Sequence, residues 1–246
     1  MHTGDDAVVA YRMLAAGDTG LVVEFGDRVD RPLSNLVLAL AQRIGDANIA
    51  GVVECVPTFR SLMIYYEPLA VPYAALTARV GELVQGLLPA ETAGRLWRLP
   101  VCYDQSLAPD LAEVAATTNL SPAQVAERHS APTYHVYMLG FLPGQPYLGD
   151  LAPDLALPRR HSPRMKIPAG SVAIATTLTC IFPQETPCGW HLIGRCPVPL
   201  WDRQALLRPG DRVGFVPVSV REYEDMRGRA ADSRWAPVDD ARDAAA

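Results

Sequence analysis

The sequence predicts an α+β protein in which a small two-layer α/β module precedes a β-barrel module. Three observations point there. The first part alternates apolar strands with amphipathic helices in the order β-β-α-β-β-α, which suits a small sheet with its helices on one face. Of the 22 prolines in the chain, most fall between Pro132 and Pro217, a density that excludes a helix bundle and leaves short strands and turns. Between the two parts, Pro89-Ala90-Glu91-Thr92-Ala93-Gly94 has the composition of a linker. The first module is therefore expected over residues 1–92 and the barrel over 93–226. Residues 227–246, rich in Ala, Asp and Arg and without periodicity, read as a flexible tail.

Each element has its own signal. Tyr11–Leu14 and Gly20–Phe25 read as strands joined by a turn at Gly17-Asp18-Thr19. From Pro32 to Ile44, Leu33, Leu36, Val37, Leu40, Ala41 and Ile44 recur at helical spacing, with Pro32 tolerated in the first turn. Val52–Val56 and Ser61–Tyr66 are the next strands, and Val71–Leu88 the second helix. The second module opens with a strand over Leu96–Tyr103. Two short helices follow, Asp110–Thr117 and Ser121–His129. Ser121 is a good N-cap, Pro122 takes the first helical position, and Gln124 completes a capping-box spacing. After a strand at Tyr134–Leu139 comes a loop-rich stretch to about Ile167. Short strands then recur at Ser171–Ala175, Cys180–Phe182, His191–Arg195 and Arg212–Val216, a rhythm that suggests a closed or partly closed barrel.

Composition narrows the function classes. The chain has 246 residues, 49% apolar and 20% charged, with a net charge of −5. That supports a buried core and argues against a general nucleic-acid binder. No apolar run reaches a membrane span, and the acidic N-terminus lacks a signal-peptide layout, so the protein reads as cytoplasmic. Five cysteines without a C-x-x-C spacing read as reduced thiols rather than a disulfide framework or a zinc site, and no metal site is expected.

Four stretches could carry chemistry. Gly140 to Gly149 interleaves glycines, prolines and aromatics. It suits either a rigid pocket rim, with Phe141, Pro143 and Tyr147 at the edge, or a self-packed structural loop. Pro158 to Pro168 concentrates Arg159, Arg160, Arg164 and Lys166 beside His161 between stiffening prolines. It suits an anion site or a solvated basic face. Pro168-Ala169-Gly170-Ser171 leads into an apolar strand and could present Ser171 to an anion, but it is not a Walker loop. Phe182 to Arg195 sets Glu185, His191 and Arg195 around Trp190. Glu185 and His191 are the candidate acid/base pair and Arg195 a candidate carboxylate clamp; an ion-paired Glu185 and a core Trp190 are the structural alternative. Spacing alone does not specify a Cys188–His191 nucleophile pair.

The run Tyr134–Gly144, the Pro168-Ala169-Gly170-Ser171-Val172 turn, Gly189-Trp190 followed by Ile193-Gly194-Arg195, the Val56–Leu62 segment and Pro209-Gly210-Asp211-Arg212-Val213 together resemble the allophanate hydrolase subunit 1 family, also described as carboxyltransferase subdomains C and D. The resemblance covers roughly residues 11–220 and is nearest to the bacterial 5-oxoprolinase B-type subunits within that family. It implies a small α/β domain followed by a cyclophilin-like barrel. It also implies work inside a complex with two companion subunits, one of carboxyltransferase type and one lactam-binding. The implied reaction is ATP-dependent cleavage of 5-oxo-L-proline to L-glutamate, with Mg accompanying the ATP. A urea or allophanate component and a non-enzymatic histidine-kinase inhibitor are the alternatives the same family offers. The chain departs from the family pattern around Gln105, at Gln145 where an aromatic is usual, at Cys180, and at Cys188 where a glycine is usual. These departures cluster on loops around the expected pocket.

Overall fold

The computed structural model describes residues 10–89 and 94–229. The chain divides into two compact units, 1–93 and 94–246. The expected boundary at 92/93 lies outside the described residues, as does the tail from 230 onward. Residues 227–229, expected at the start of the tail, lie in a helix.

In the first unit, β1 (Arg12–Ala15), β2 (Gly20–Glu24), β3 (Val52–Pro57) and β4 (Ser61–Tyr66) form an antiparallel sheet in the order β1-β2-β4-β3. Helices α1 (Arg31–Ala47) and α2 (Tyr73–Val84) join the same core. Leu21 and Val23 of β2 and Leu62 and Ile64 of β4 alternate inward to meet Leu36, Val37, Leu40 and Ile44 of α1. Asp30 caps α1 by accepting from the Leu33 amide at 2.9 Å, and Asn48 ends it in the left-handed region. Helix α2 stops short of the expected Leu88 because Gly86 turns the chain at a φ of 62°. Arg43 satisfies the freed carbonyls of Leu83, Gln85 and Gly86 at 2.9–3.0 Å.

The second unit contains β5 (Leu96–Val101), α3 (Leu111–Thr118), α4 (Pro122–Ser130), β6 (Thr133–Leu139), β7 (Pro146–Gly149), β8 (Arg164–Ile167), β9 (Ser171–Ala175), β10 (Leu178–Ile181), β11 (Thr186–Cys188), β12 (His191–Arg195), β13 (Trp201–Asp202), β14 (Gln204–Ala205), β15 (Arg212–Pro217) and α5 (Val220–Arg229). Seven strands make one sheet in the order β12-β9-β10-β7-β6-β15-β5, with only β15 and β5 parallel. Its two edges meet. Cys102, just past β5, and Arg195 of β12 exchange both backbone hydrogen bonds at 2.9 Å, so the sheet curls round onto itself. The α+β architecture is the expected one. Strands β7, β8 and β11 differ from expectation, since they lie in stretches that read as loop. Each has four residues or fewer, and β7 and β11 contain proline.

Alternation sorts the barrel side chains into two sets. Val136, Leu148, Val172, Ile174, Ile181, Ile193, Val213 and Phe215 fill the interior. Ala173, Cys180 and Leu192 point to the other face and join a second, smaller core with Ile167, Phe182, Cys188 and Trp190. The capping box of α4 forms as its sequence predicts: the Ser121 amide donates to the Gln124 side chain at 2.8 Å, and the Gln124 amide to Ser121 Oγ at 3.2 Å.

Helix α4 delivers His129 into the interior, where it is fully buried and stacks on Phe215 at 4.7 Å. One tautomer satisfies every atom. Tyr103 O–H donates to Nδ1 (2.7 Å), Nε2–H donates to Thr179 Oγ1 (2.9 Å), and the Thr179 hydroxyl donates to the Ala173 carbonyl (3.1 Å). Burial pushes the imidazole pKa down to about 3 from its ordinary 6.5. His129 thus stays neutral in the fold while the unfolded chain takes up a proton below pH 6.5. Stability should therefore fall as pH drops from 6.5 toward 3, by up to ~1.4 kcal/mol per pH unit from this residue. Urea midpoints measured at pH 7, 5 and 4 check this. The His129→Gln protein should show a flatter pH dependence than the native chain, and equal slopes would contradict the assignment.

Candidate functional site

The basic segment is a strap laid along the barrel. At its start, the Pro158 carbonyl accepts from His191 Nε2 at 3.0 Å and the Arg160 amide donates to the Gly189 carbonyl at 2.8 Å. At its end, β8 pairs antiparallel with β11. Between them the strap is held by Asp110, which sits just ahead of α3 and is 1% exposed. Asp110 Oδ1 accepts from Arg164 Nη2 at 2.5 Å and Arg160 Nη1 at 3.0 Å. Its Oδ2 accepts from Arg164 Nη1 and from the Leu192 amide, both at 2.7 Å. Arg160 also reaches Glu113 at 2.7 Å. Two guanidinium groups thus balance two carboxylates, and the fork of Arg164 gives one of the pairs bidentate geometry.

This arrangement divides the candidate anion-binding residues. Arg164 is committed to Asp110, and Lys166 pairs with Glu185 at 2.8 Å with both side chains largely exposed. Arg159 has a different environment: its guanidinium lies 5.9 Å over the Trp190 ring, and Trp190 meets Tyr147 edge-on at 6.1 Å. Ser171 and Arg195 are cross-strand neighbours on β9 and β12. Ser171 is buried and donates to the Pro168 carbonyl at 2.7 Å. Arg195 leans on Gly170, whose φ of 78° and close approach to the Cys196 carbonyl leave no room for a Cβ. The buried Arg195 Nε has no hydrogen-bond partner among the described residues.

Sheet alternation places these groups. Tyr147, Ala173, Cys180 and Leu192 are linked by register on the outer face, and Trp190 joins their core. The structure therefore brings Arg159, Tyr147 and Trp190 together there. His191 is paired with Ile174 and faces the opposite side, toward the interior set. Glu185 stands exposed just ahead of β11 and pairs with Lys166, while His191 bonds the Pro158 carbonyl, so among the described residues no contact joins Glu185 to His191. His191 Nε2 donates to the Pro158 carbonyl, and its Nδ1 is buried without a partner among the described residues. Phe141 is 67% exposed at a φ of 70° and Pro143 is exposed beside it, while Gly144 and Gln145 are buried and Leu142 packs on the smaller core. Burial pushes the Cys180 and Cys188 thiols up, which keeps them protonated and unsuited to nucleophilic attack.

Sequence reasoning misses Asp110 and Arg160 as a unit. Asp110 after Pro109 looks like an ordinary helix start, and only the fold brings β12 and the strap onto it. In the first unit, a cleft of about 360 Å³ is lined by Tyr11, Arg12, Glu24 and Asp27. Its Glu24 is already held by Arg60 and by Arg12 at 2.8 Å; the hydrogen bond from Arg60 leads in keeping that carboxyl below its ordinary pKa. Among the described residues, no group of three or more His, Cys, Asp or Glu is placed to hold a metal ion. No helix among them is long and apolar enough to cross a membrane. Among the described residues, Arg160 and Arg164 of the strap hold Asp110, and the glycine turn at 170 leads into a strand rather than a helix.

Fold and site together define an α+β protein with a strap clamped along a curled barrel sheet. The pattern of the carboxyltransferase domain, subdomain C and D, matches residues 11–208, and the chain belongs to that family. It is 38% identical over 230 residues to the B subunit of the Bacillus subtilis (strain 168) 5-oxoprolinase, covering 87% of this chain and 96% of that protein. Among solved structures, TTHA0988 superposes with a TM-score of 0.73 at 37% identity over 81% of this chain. This chain spans 40% of that one's length. The K. lactis urea amidolyase shares the fold, with a TM-score of 0.79 at 20% identity, covering 97% of this chain and 16% of that one.

The clamp has a measurable consequence. Asp110→Ala leaves Arg164 and the Leu192 amide without their acceptor and should lower the unfolding free energy by about 3 kcal/mol, at the low end of the range for breaking a buried pair because both arginines are partly solvated. Urea unfolding checks it. A loss below ~1 kcal/mol, the scale of surface ion pairs, would show the cluster to be peripheral.

Proposed function

We propose that the chain is one subunit of an ATP-dependent 5-oxoprolinase-type complex that opens 5-oxo-L-proline to L-glutamate. The observation that carries this reading is the 38% identity to a 5-oxoprolinase B subunit over 96% of that protein's length. The partners are two companion subunits, one of carboxyltransferase type and one lactam-binding. The larger chain of TTHA0988, of which this chain spans 40%, is compatible with a relative that carries additional sequence on one polypeptide.

An unstrained lactam is a poor electrophile, and phosphorylation of its oxygen by ATP would make the ring carbon attackable. This chain's own part is to present charge and rings to an acidic substrate. Arg159 stacked on Trp190 offers a planar fork for a carboxylate, and Arg195 beside Ser171 offers a second. The nucleotide would be held across the complex rather than by this chain alone. In this reading His191 and Glu185 do not act as a pair, since Glu185 is held by Lys166 and His191 by the Pro158 carbonyl.

Co-purification with the two companion subunits tests the reading. ATP hydrolysis that depends on 5-oxo-L-proline should appear in the full set and fall at least a hundredfold when this chain is left out. A complex that forms but ignores 5-oxo-L-proline while hydrolysing ATP with urea would contradict it. Arg195→Gln should raise the KM for 5-oxo-L-proline about tenfold, the scale of one charge-assisted hydrogen bond. An unchanged KM would remove Arg195 from the site.

A further inference from the structure

Arg159 is exposed, yet the backbone on both sides of it is held. The strap starts along the end of the barrel sheet. The Thr176 amide, just past β9, donates to the Leu157 carbonyl at 2.5 Å. His191 Nε2 donates to the Pro158 carbonyl at 3.0 Å, and the Arg160 amide donates to the Gly189 carbonyl at 2.8 Å. The two peptide groups that flank Arg159 are therefore bound to the two residues that flank Trp190. The Arg159 guanidinium lies 5.9 Å over that indole. Arg160, Arg164 and Lys166 have carboxylate partners, whereas Arg159 has none among the described residues.

These holds are not equivalent. From Arg160 onward the strap is kept by Asp110, which binds both Arg160 and Arg164. Before Arg159, the pyrrolidine ring of Pro158 fixes its own φ. What is left to rotate is the peptide group between Pro158 and Arg159, and its carbonyl is the one His191 holds. Turning that peptide changes the φ of Arg159 and swings its side chain relative to the indole. His191 is 8% exposed, and its Nδ1 is buried without a partner among the described residues. The ring thus spends its one hydrogen bond on the peptide that aims Arg159 and bears the cost of an unmet nitrogen to do so.

We propose that His191 is a positioning residue: through the Pro158 carbonyl it sets the Arg159 guanidinium over Trp190, where the fork receives the carboxylate of the substrate. The substrate half of this inference rests on the 5-oxoprolinase reading; the placement of Arg159 does not. His191 then governs affinity for an acidic substrate and transfers no proton.

Two measurements test the two halves. In the full-length chain carrying isotope-labelled arginine, the ring current of Trp190 should displace the side-chain resonance of Arg159, assigned by its loss in Arg159→Gln. His191→Leu and His191→Asn, neither of which reaches the Pro158 carbonyl, should return that resonance to the position of an ordinary exposed arginine. His191→Gln, whose amide nitrogen lies near the place of Nε2, should hold it displaced. An unmoved resonance in either folded variant overturns the proposal, and so does loss of the fold in both, which would make His191 purely structural. In the complex with the two companion subunits, His191→Leu should raise the KM for 5-oxo-L-proline about fivefold and leave kcat within about twofold. His191→Gln should keep the native KM, and adding Arg159→Gln to His191→Leu should raise KM no further. A fall in kcat at unchanged KM, KM losses that multiply in the double variant, or an active complex whose KM ignores Arg159→Gln each overturns the proposal. A complex inert to 5-oxo-L-proline, built from a chain whose Arg159 resonance responds to His191 as expected, removes the 5-oxoprolinase reading and keeps His191 as the residue that places Arg159.

Discussion

The outer face of the barrel depends on one carboxylate. Asp110 is buried, and by itself a buried charge is strongly unfavourable. It is tolerated because Arg164 grips both of its oxygens, Arg160 adds a third contact and the Leu192 amide a fourth. Those contacts tie together three pieces of chain far apart in sequence: the start of α3, strand β12 and the strap. Without them, a stiff run of prolines and cations would have little reason to lie along a sheet. With them, β8 is brought into line to pair with β11, and the small core around Trp190, Ile167 and Phe182 is covered.

The clamp also decides which cations remain for chemistry. A basic loop read from sequence is a pool of equivalent charges. In the fold, Arg160 and Arg164 are committed to internal carboxylates, Lys166 to Glu185, and Arg159 is left over an indole. The two-residue period of the sheet makes a second selection. Tyr147 and Trp190 share the outer face, while His191, one residue along β12 from Trp190's neighbour Leu192, turns inward. The second selection follows from strand register, whereas the first follows from where Asp110 lies.

Much of this is legible in the residues. The apolar spacing of α1, the Ser121–Gln124 capping box and the strands flanked by turn residues all sit where local physics puts them. The rest is hidden because its cause is non-local. β8 reads Arg-Met-Lys-Ile, which carries no strand pattern, and it becomes a strand only because Asp110 anchors its first residue and β11 offers a partner. Gln145 can be singled out as a departure from the family pattern, but its burial with an unmet oxygen is a property of the folded loop. The candidate pairing of Glu185 with His191 rests on closeness in sequence, which a pleated strand and a hairpin separate.

The most direct measurement is a double-mutant cycle between Asp110 and Arg164, read by urea unfolding of the native chain, Asp110→Ala, Arg164→Ala and the double variant. If the clamp holds the strap to the barrel, the two losses will be far from additive, with a coupling of about 2 kcal/mol. Additive losses, with a coupling within ~0.5 kcal/mol of zero, would mean that the strap is held by something other than this ion pair, and the account of the outer face built on it would fail.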